Sequence, residues 1–228
     1  MGWEIGFILA CTLVGFLLIR NYPSGASRTK TQRCIKRQPI RLEVMFLAAA
    51  AIGTLGGCYS YLTLHYTVEC FDPYQISTIL SLIGLILTVG KFVLGEAMDL
   101  WGAARANWLF LPMAVMGCVL FSIGSGAGYV SALAAACLYG VGNSTVTVGL
   151  TAYARDFSSP EEYAARNQRY QIASGLGGLL CAPIAGGIVG ITGNYRAFFI
   201  LIALLMAFAT AVIQYKYRKL FRKNKNPS

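Results

Sequence analysis

Apolar residues in this chain come in long unbroken runs, separated by short polar stretches. Seven runs are long enough to cross a bilayer, over roughly 3–19, 42–66, 74–98, 107–127, 130–153, 170–192 and 197–215. A helix rises about 1.5 Å per residue, so about 20 apolar residues cover a hydrocarbon core about 30 Å thick. The runs are continuously apolar and lack the two-residue alternation of barrel strands, so they predict helices. The fold class expected is an all-α membrane protein with seven transmembrane helices.

The polar stretches then set an orientation. Arg20, Arg28, Lys30, Arg33, Lys36, Arg37 and Arg41 lie between the first and second spans, and Arg105 follows the third. Arg155, Arg166 and Arg169 follow the fifth, and Lys216, Arg218, Lys219, Arg222, Lys223 and Lys225 follow the seventh. If the spans alternate, all of these fall on one face, whereas the other carries only Arg196 with Glu69 and Asp72. The positive-inside rule places that basic face in the cytoplasm, with the N-terminus outside and the C-terminus inside. The first span lacks a basic stretch before its apolar core and carries Glu4 there, so it reads as a helix that stays and not as a cleaved signal. The organisation expected is a single transmembrane helix at 1–19 and a basic cytoplasmic linker at 20–41. A six-helix unit at 42–215 and a basic cytoplasmic tail at 216–228 follow. Within the loop 158–169, Ser159, Pro160 and Glu162 match a capping box with proline at the first helical position, which predicts a short helix.

Composition narrows the chemistry. Of the 228 residues, 56% are hydrophobic and 12% charged, which belongs to a polytopic membrane protein and not to a soluble domain. The net charge of +10 sits in blocks without interleaved aromatic residues, so it does not point to nucleic acid. The seven cysteines are scattered, mostly within apolar runs, and show no metal or redox spacing. No catalytic constellation or nucleotide motif is present; neither an enzyme nor a cofactor is expected. Asn143-Ser-Thr matches a glycosylation acceptor but falls inside a span, where it is silent. Gly124-Ser-Gly-Ala-Gly128 reads as a tight turn.

Several stretches carry a family resemblance. Gly95-x-x-x-Asp99-x-x-Gly102-x-x-Arg105 joins the third and fourth spans and is similar to the repeated cytoplasmic loop motif of the major facilitator superfamily. Leu100 and Ala104 stand where many members have further basic residues. Gly175-Leu-Gly-Gly-Leu-Leu-Cys-Ala-Pro183-Ile-Ala-Gly186-Gly187, followed by Thr192-Gly193-Asn194-Tyr195-Arg-Ala-Phe198, resembles the penultimate helix and its outer turn. Gly2-Trp3 and Arg20-Asn-Tyr-Pro23 resemble the sixth helix and the central loop. The resemblance covers essentially the whole chain and implies helices six to twelve, a six-helix half preceded by one extra helix. Among branches it looks most like the monocarboxylate and oxalate/formate carriers. It implies secondary transport of a small solute, such as an organic anion, by alternating access in the plasma membrane, with a coupling proton or ion. A complete carrier has two six-helix halves and would be about twice as long. The chain is thus expected either to be a fragment, or an accessory polypeptide inactive alone, or to work with a partner carrying the other half.

Candidate residues follow from cost. Lys91 is the one cation within a span, and an intramembrane charge is expensive enough to suggest a substrate or ion contact. The resemblance adds that an arginine at this position contacts the substrate carboxylate in monocarboxylate-type carriers. The alternative is snorkelling, since Lys91 lies about 10 Å from the end of the predicted span. His65, the only histidine, sits among Tyr59, Tyr61 and Tyr66, and reads as a proton relay or as part of an interfacial aromatic belt. Gly95, Asp99, Gly102 and Arg105 are expected to form a gating loop, with Asp99 exchanging a partner between states. Gly175, Gly186 and Gly187 are expected to allow close helix packing, and Pro183 to kink its helix.

Overall fold

The computed structural model of the protein describes residues 44–124 and 128–225, with side chains as far as Leu220. The first span, the linker 20–41, Glu43, residues 125–127 and the last three residues lie outside the described residues, as do the side chains of Arg222, Lys223 and Lys225.

Every described element is helical. Helix α1 (Val44–Cys58) passes through a 3-10 turn, Tyr59–Tyr61, into α2 (Leu62–Val68). Then follow α3 (Pro73–Trp101), α4 (Ala103–Ile123) and α5 (Gly128–Asn143). A second 3-10 turn, Ser144–Val146, leads to α6 (Val148–Asp156), and α7 (Tyr163–Thr192) and α8 (Arg196–Lys225) complete the described chain. Five stretches are each long and apolar enough to cross a membrane, with α1–α2 taken as one, and the pair α5–α6, bent by 40°, makes a sixth. An all-α membrane protein is what the apolar runs predicted. The fifth span departs from expectation, because it is two helices and not one.

Local chemistry sets the boundaries. Asp72 caps α3, Pro73 takes its first turn, and the Gln75 Oε1 accepts a hydrogen bond from the Asp72 N–H at 3.3 Å. The helix stops at Gly102, whose φ of +82° is a conformation that side chains resist, and α4 starts at the next residue. The short helix predicted in 158–169 does not form. The Ser159 carbonyl accepts from the N–H groups of Glu162 and Tyr163, both at 3.0 Å, which closes a turn that runs directly into α7. Glu162 turns forward to Arg166 at 3.6 Å instead of back towards Ser159. Helix α7 runs unbroken from Tyr163 to Thr192 through Pro183.

The packing has an internal two-fold pattern. α1–α2, α3 and α4 form one set of three, and α5–α6, α7 and α8 the other. Both sets begin with a span interrupted by a 3-10 turn and continue with a helix of 29 or 30 residues. α1 packs along α7 as α3 packs along α5; α4 packs on α5 as α8 packs on α1; and α4 meets α8. Such internal repeats are a recurrent way to build carriers.

Glycine makes the closest of these contacts. A Cβ on Gly53 would stand 1.9 Å from the Ser174 carbonyl oxygen, and one on Gly177 would stand 1.9 Å from that of Ala50. Gly57 lies against Gly178 in the same way. The backbones of α1 and α7 therefore touch directly. By contrast Gly175, Gly186 and Gly187 have open space where a Cβ would stand, so they are not packing glycines of the described helices. The motif was rightly small on one face of α7, but the packing face is the neighbouring one.

Gly177→Ala is expected to lower unfolding stability in mixed micelles by about 2 kcal/mol, since overpacking costs about 1–3 kcal/mol. Gly186→Ala is expected to stay within about 0.5 kcal/mol of the parent chain, as surface changes do. Equal effects of the two substitutions would contradict this packing assignment.

Candidate functional site

Helix α3 divides its circumference into three sectors. Ile76, Ile79, Ile83, Gly90, Leu94 and Ala97 are buried against neighbouring helices. Leu85, Val89, Phe92 and Val93 are exposed and apolar, as lipid requires. Between these lies a line of small and polar residues: Ser77, Ser81, Gly84, Thr88, Lys91 and Gly95. At about 100° per residue they fall within a sector about 80° wide. The first four are exposed and the last two half-buried. The pseudo-equivalent helix α7 presents a comparable line through Gln168, Gln171, Gly175, Ala182 and Gly186, all exposed. Polar atoms on an exposed helix face are costly against lipid tails, so such lines belong against water or against protein.

Lys91 sits deep on this line. Because α3 continues to Trp101, it stands about 15 Å from that end, and about 27 Å from Pro73. The exposed charges Glu96 and Asp99 lie between Lys91 and that end. Lys91 has no hydrogen bond or ion pair among the described residues. It adjoins the interruption of the fifth span: a Cβ on Gly90 would stand 3.4 Å from the Val141 Cα and 3.6 Å from the Ser144 Cβ. From the other side, a Cβ on Gly56 would stand 3.4 Å from Val146 Cγ1. Asn143, Ser144 and Thr145 are buried at this break. Ser144 Oγ donates to the Val141 carbonyl at 2.6 Å and Thr145 Oγ1 to the Gly142 carbonyl at 2.7 Å. The side chains thereby compensate carbonyls next to the bend, and Asn143 Oδ1 remains a buried acceptor without a partner.

The loop motif lies at the basic end of the bundle. Asp99 approaches Arg155 of α6 at 4.0 Å, both well exposed, while Arg155 also reaches Asp156 at 3.5 Å. Asp156 in turn accepts from Tyr217 Oη of α8 at 2.8 Å. Gly95 and Asp99 line a cavity of 230 Å³ with Thr151, Arg155 and Tyr163. Arg105 does not join Asp99: it borders a separate cavity of 750 Å³ with Gly102, Asp156 and Tyr217. The carboxylate of the motif thus has its partner in α6, not within the motif.

His65 is elsewhere. It lies on α2 near the opposite end, about 20 Å from Lys91 along the bundle axis, and is fully buried. Its Nε2 donates to the Phe121 carbonyl at 2.8 Å, and its ring meets Phe199 at 5.0 Å and Tyr66 at 5.1 Å. The interfacial belt reading fails for His65 and Tyr66, because both point into the bundle. Beside them Arg196 grips Glu69 through Nε and a terminal nitrogen, each at 2.8 Å. The carboxylate lies over Gly124, where a Cβ would stand 2.8 Å from it, with φ +68°. Sequence reasoning missed this clasp, as well as the roles of Asp156, Tyr217 and the break after Asn143. The run of Asn, Ser and Thr following Gly140 and Gly142 was the available signal for the break.

No described cluster of three or more His, Cys, Asp or Glu residues can hold a metal. The site is a set of membrane helices with an exposed polar line, an interrupted span at mid-depth and a charged loop at one end, which defines a carrier-type membrane protein. A family model of the Major Facilitator Superfamily matches residues 1–165 and 44–228, and the chain belongs to that superfamily of transmembrane transporters. No curated protein matches the chain.

Two carboxylates at the basic end are expected to differ. Asp99→Asn should change unfolding stability in micelles by less than about 1 kcal/mol, because its ion pair is solvated. Asp156→Ala, which removes the acceptor of Tyr217, should cost about 1–2 kcal/mol. The reverse ranking would reject the assignment of Asp156 as the structural group.

Proposed function

We propose that the described helices are the C-terminal half of a major facilitator carrier that moves a small organic anion by alternating access. In this reading the lines on α3 and α7 form one wall of the solute path, together with the α5–α6 break. Lys91 supplies the positive charge that attracts the anion. The observation that supports the reading most is Lys91 itself: a cation within a membrane-length helix, without a described partner, on a polar helix face next to an interrupted span. Charge in such a helix is unfavourable unless something negative or aqueous meets it. The branch suggested by the sequence, a monocarboxylate-type carrier, fits a single fixed cation. A lysine offers a point charge and not the two-pronged grip of arginine, so the carboxylate is held without a fixed orientation.

The second wall belongs to the other half of the carrier, carried by a longer chain or by a separate polypeptide. The bilayer is the plasma membrane, and the basic end faces the cytoplasm. There Asp99 and Arg155 act as a gate contact that forms in one state and opens in the other. The pair is exposed and weak, as a contact that must be exchanged should be. His65 is set apart from this path and serves the fold.

Two measurements test the reading. In proteoliposomes containing both halves, Lys91→Ala is expected to abolish anion uptake with normal insertion, and Lys91→Arg to retain part of it. Uptake unchanged in the alanine variant would remove Lys91 from the mechanism. In a background without reactive cysteines, Ser81→Cys and Thr88→Cys are expected to react with a membrane-impermeant maleimide, whereas Leu85→Cys and Val93→Cys are not. Equal labelling of both sets would mean that the polar line faces no aqueous path.

A further inference from the structure

We infer that the basic end of the bundle carries a binding site for an anionic phospholipid, seated between α1, α7 and α8. The inference does not depend on which solute is carried. Two adjoining hollows form the site. The first, of 220 Å³, is lined by Arg166 of α7, by Lys216 and Lys219 of α8, and by Met45, Phe157 and Tyr170. The second, of 270 Å³, is lined by Val44, Phe208, Ala211, Val212, Tyr215 and Lys216. Lys216 stands in both walls, and the adjacent residues Val44 and Met45 of α1 complete the boundary between them.

The two hollows differ in chemistry. Three cationic side chains surround the first, and of these Arg166 pairs with Glu162 at 3.6 Å. Neither lysine has an ion pair among the described residues. Three donors of fixed positive charge around a small cavity match a phosphodiester, whose oxygens take charge-assisted hydrogen bonds. The second hollow is walled almost wholly by carbon and runs from Lys216 to Phe208, about 12 Å along α8 away from the basic end. A free inorganic anion has no use for such a groove, whereas an acyl chain attached to the phosphate fills it. Basic hollows between membrane helices at a basic face are suited to acidic headgroups. The order of the two hollows, cationic at the helix end and apolar towards the membrane centre, is also the order of a lipid in its leaflet.

The test uses the full chain in neutral detergent, with native mass spectrometry counting lipids retained after addition of phosphatidylglycerol or phosphatidylcholine. Phosphatidylglycerol is expected to be retained preferentially. The double variant Lys216→Ala/Lys219→Ala should weaken its retention about 30-fold, the factor that about 1 kcal/mol per lysine gives. Lys216→Arg/Lys219→Arg should keep it. Ala211→Trp, which fills the apolar groove and leaves every charge in place, should also lower retention. Inorganic phosphate is expected not to displace the lipid; full displacement would show a site for a free anion and overturn the inference. Equal retention of the two lipids would overturn it as well. So would unchanged phosphatidylglycerol retention in the double alanine variant.

Discussion

Within a bilayer the lipid tails are as apolar as the side chains, so helices gain little by hiding apolar surface from one another. Association must come from close van der Waals packing and from polar contacts. In this protein the contact of α1 with α7 supplies the first of these in its most direct form. Gly53, Gly57 and Gly177 bring the two backbones to a distance at which a single methyl group would overlap a carbonyl oxygen. The rest of the arrangement follows from that approach. α7 is held by the face that carries Gly177, Gly178 and Cys181, so its other small residues, Gly175 and Gly186, are left outward. The glycines of α7 thus divide into a set that grips and a set that stays open.

The symmetry-related contact of α3 with α5 has the same logic with one change. Gly140 and Gly90 let α3 and α5 approach, but the span that α3 meets is bent by 40° immediately afterwards. A bend in a membrane helix exposes backbone carbonyls that lipid cannot satisfy. Ser144, Thr145 and Thr151 answer this locally, each donating its hydroxyl to a carbonyl three residues earlier. The break is therefore compensated within the helix itself, beside the buried Asn143 and close to Gly90, the neighbour of Lys91.

How much of this was legible in the sequence depends on the kind of information needed. Span number and approximate position came from continuous apolarity, which survives any detail of packing. The five described spans other than the broken one appeared within a few residues of the predicted limits, apart from α7 and α8, which extend further at the basic end. The loop motif correctly marked the α3–α4 junction, because Gly102 requires a positive φ. The partner of Asp99 was not legible. Arg155 lies 56 positions further along the chain, and only the fold brings it near. His65 failed for the same reason in reverse: its tyrosine neighbours in sequence suggested an interface, whereas Phe121 and Phe199, distant in sequence, enclose it. The glycines of α7 were recognisable as important, but one face of a helix cannot be told from the next without knowing where its neighbour lies.

The two ends of the bundle are held with different firmness. At one end Glu69 is only 8% exposed and is clasped by two hydrogen bonds of 2.8 Å from Arg196, with Gly124 beneath it and His65 tying α2 to α4 alongside. At the basic end Asp99 and Arg155 are separated by 4.0 Å, 75% and 59% exposed, with cavities of 230 and 750 Å³ beside them. A doubly bonded pair with a buried carboxylate is harder to break than a long pair between two exposed groups, which can exchange partners at little cost. A rigid-body rocking mechanism needs each half to keep its own shape while contacts at a face are made and broken. The firm clasp suits the first requirement and the loose pair the second. The motif residues Asp99 and Arg105 therefore lie at the weakly held end, where contacts exchange at least cost.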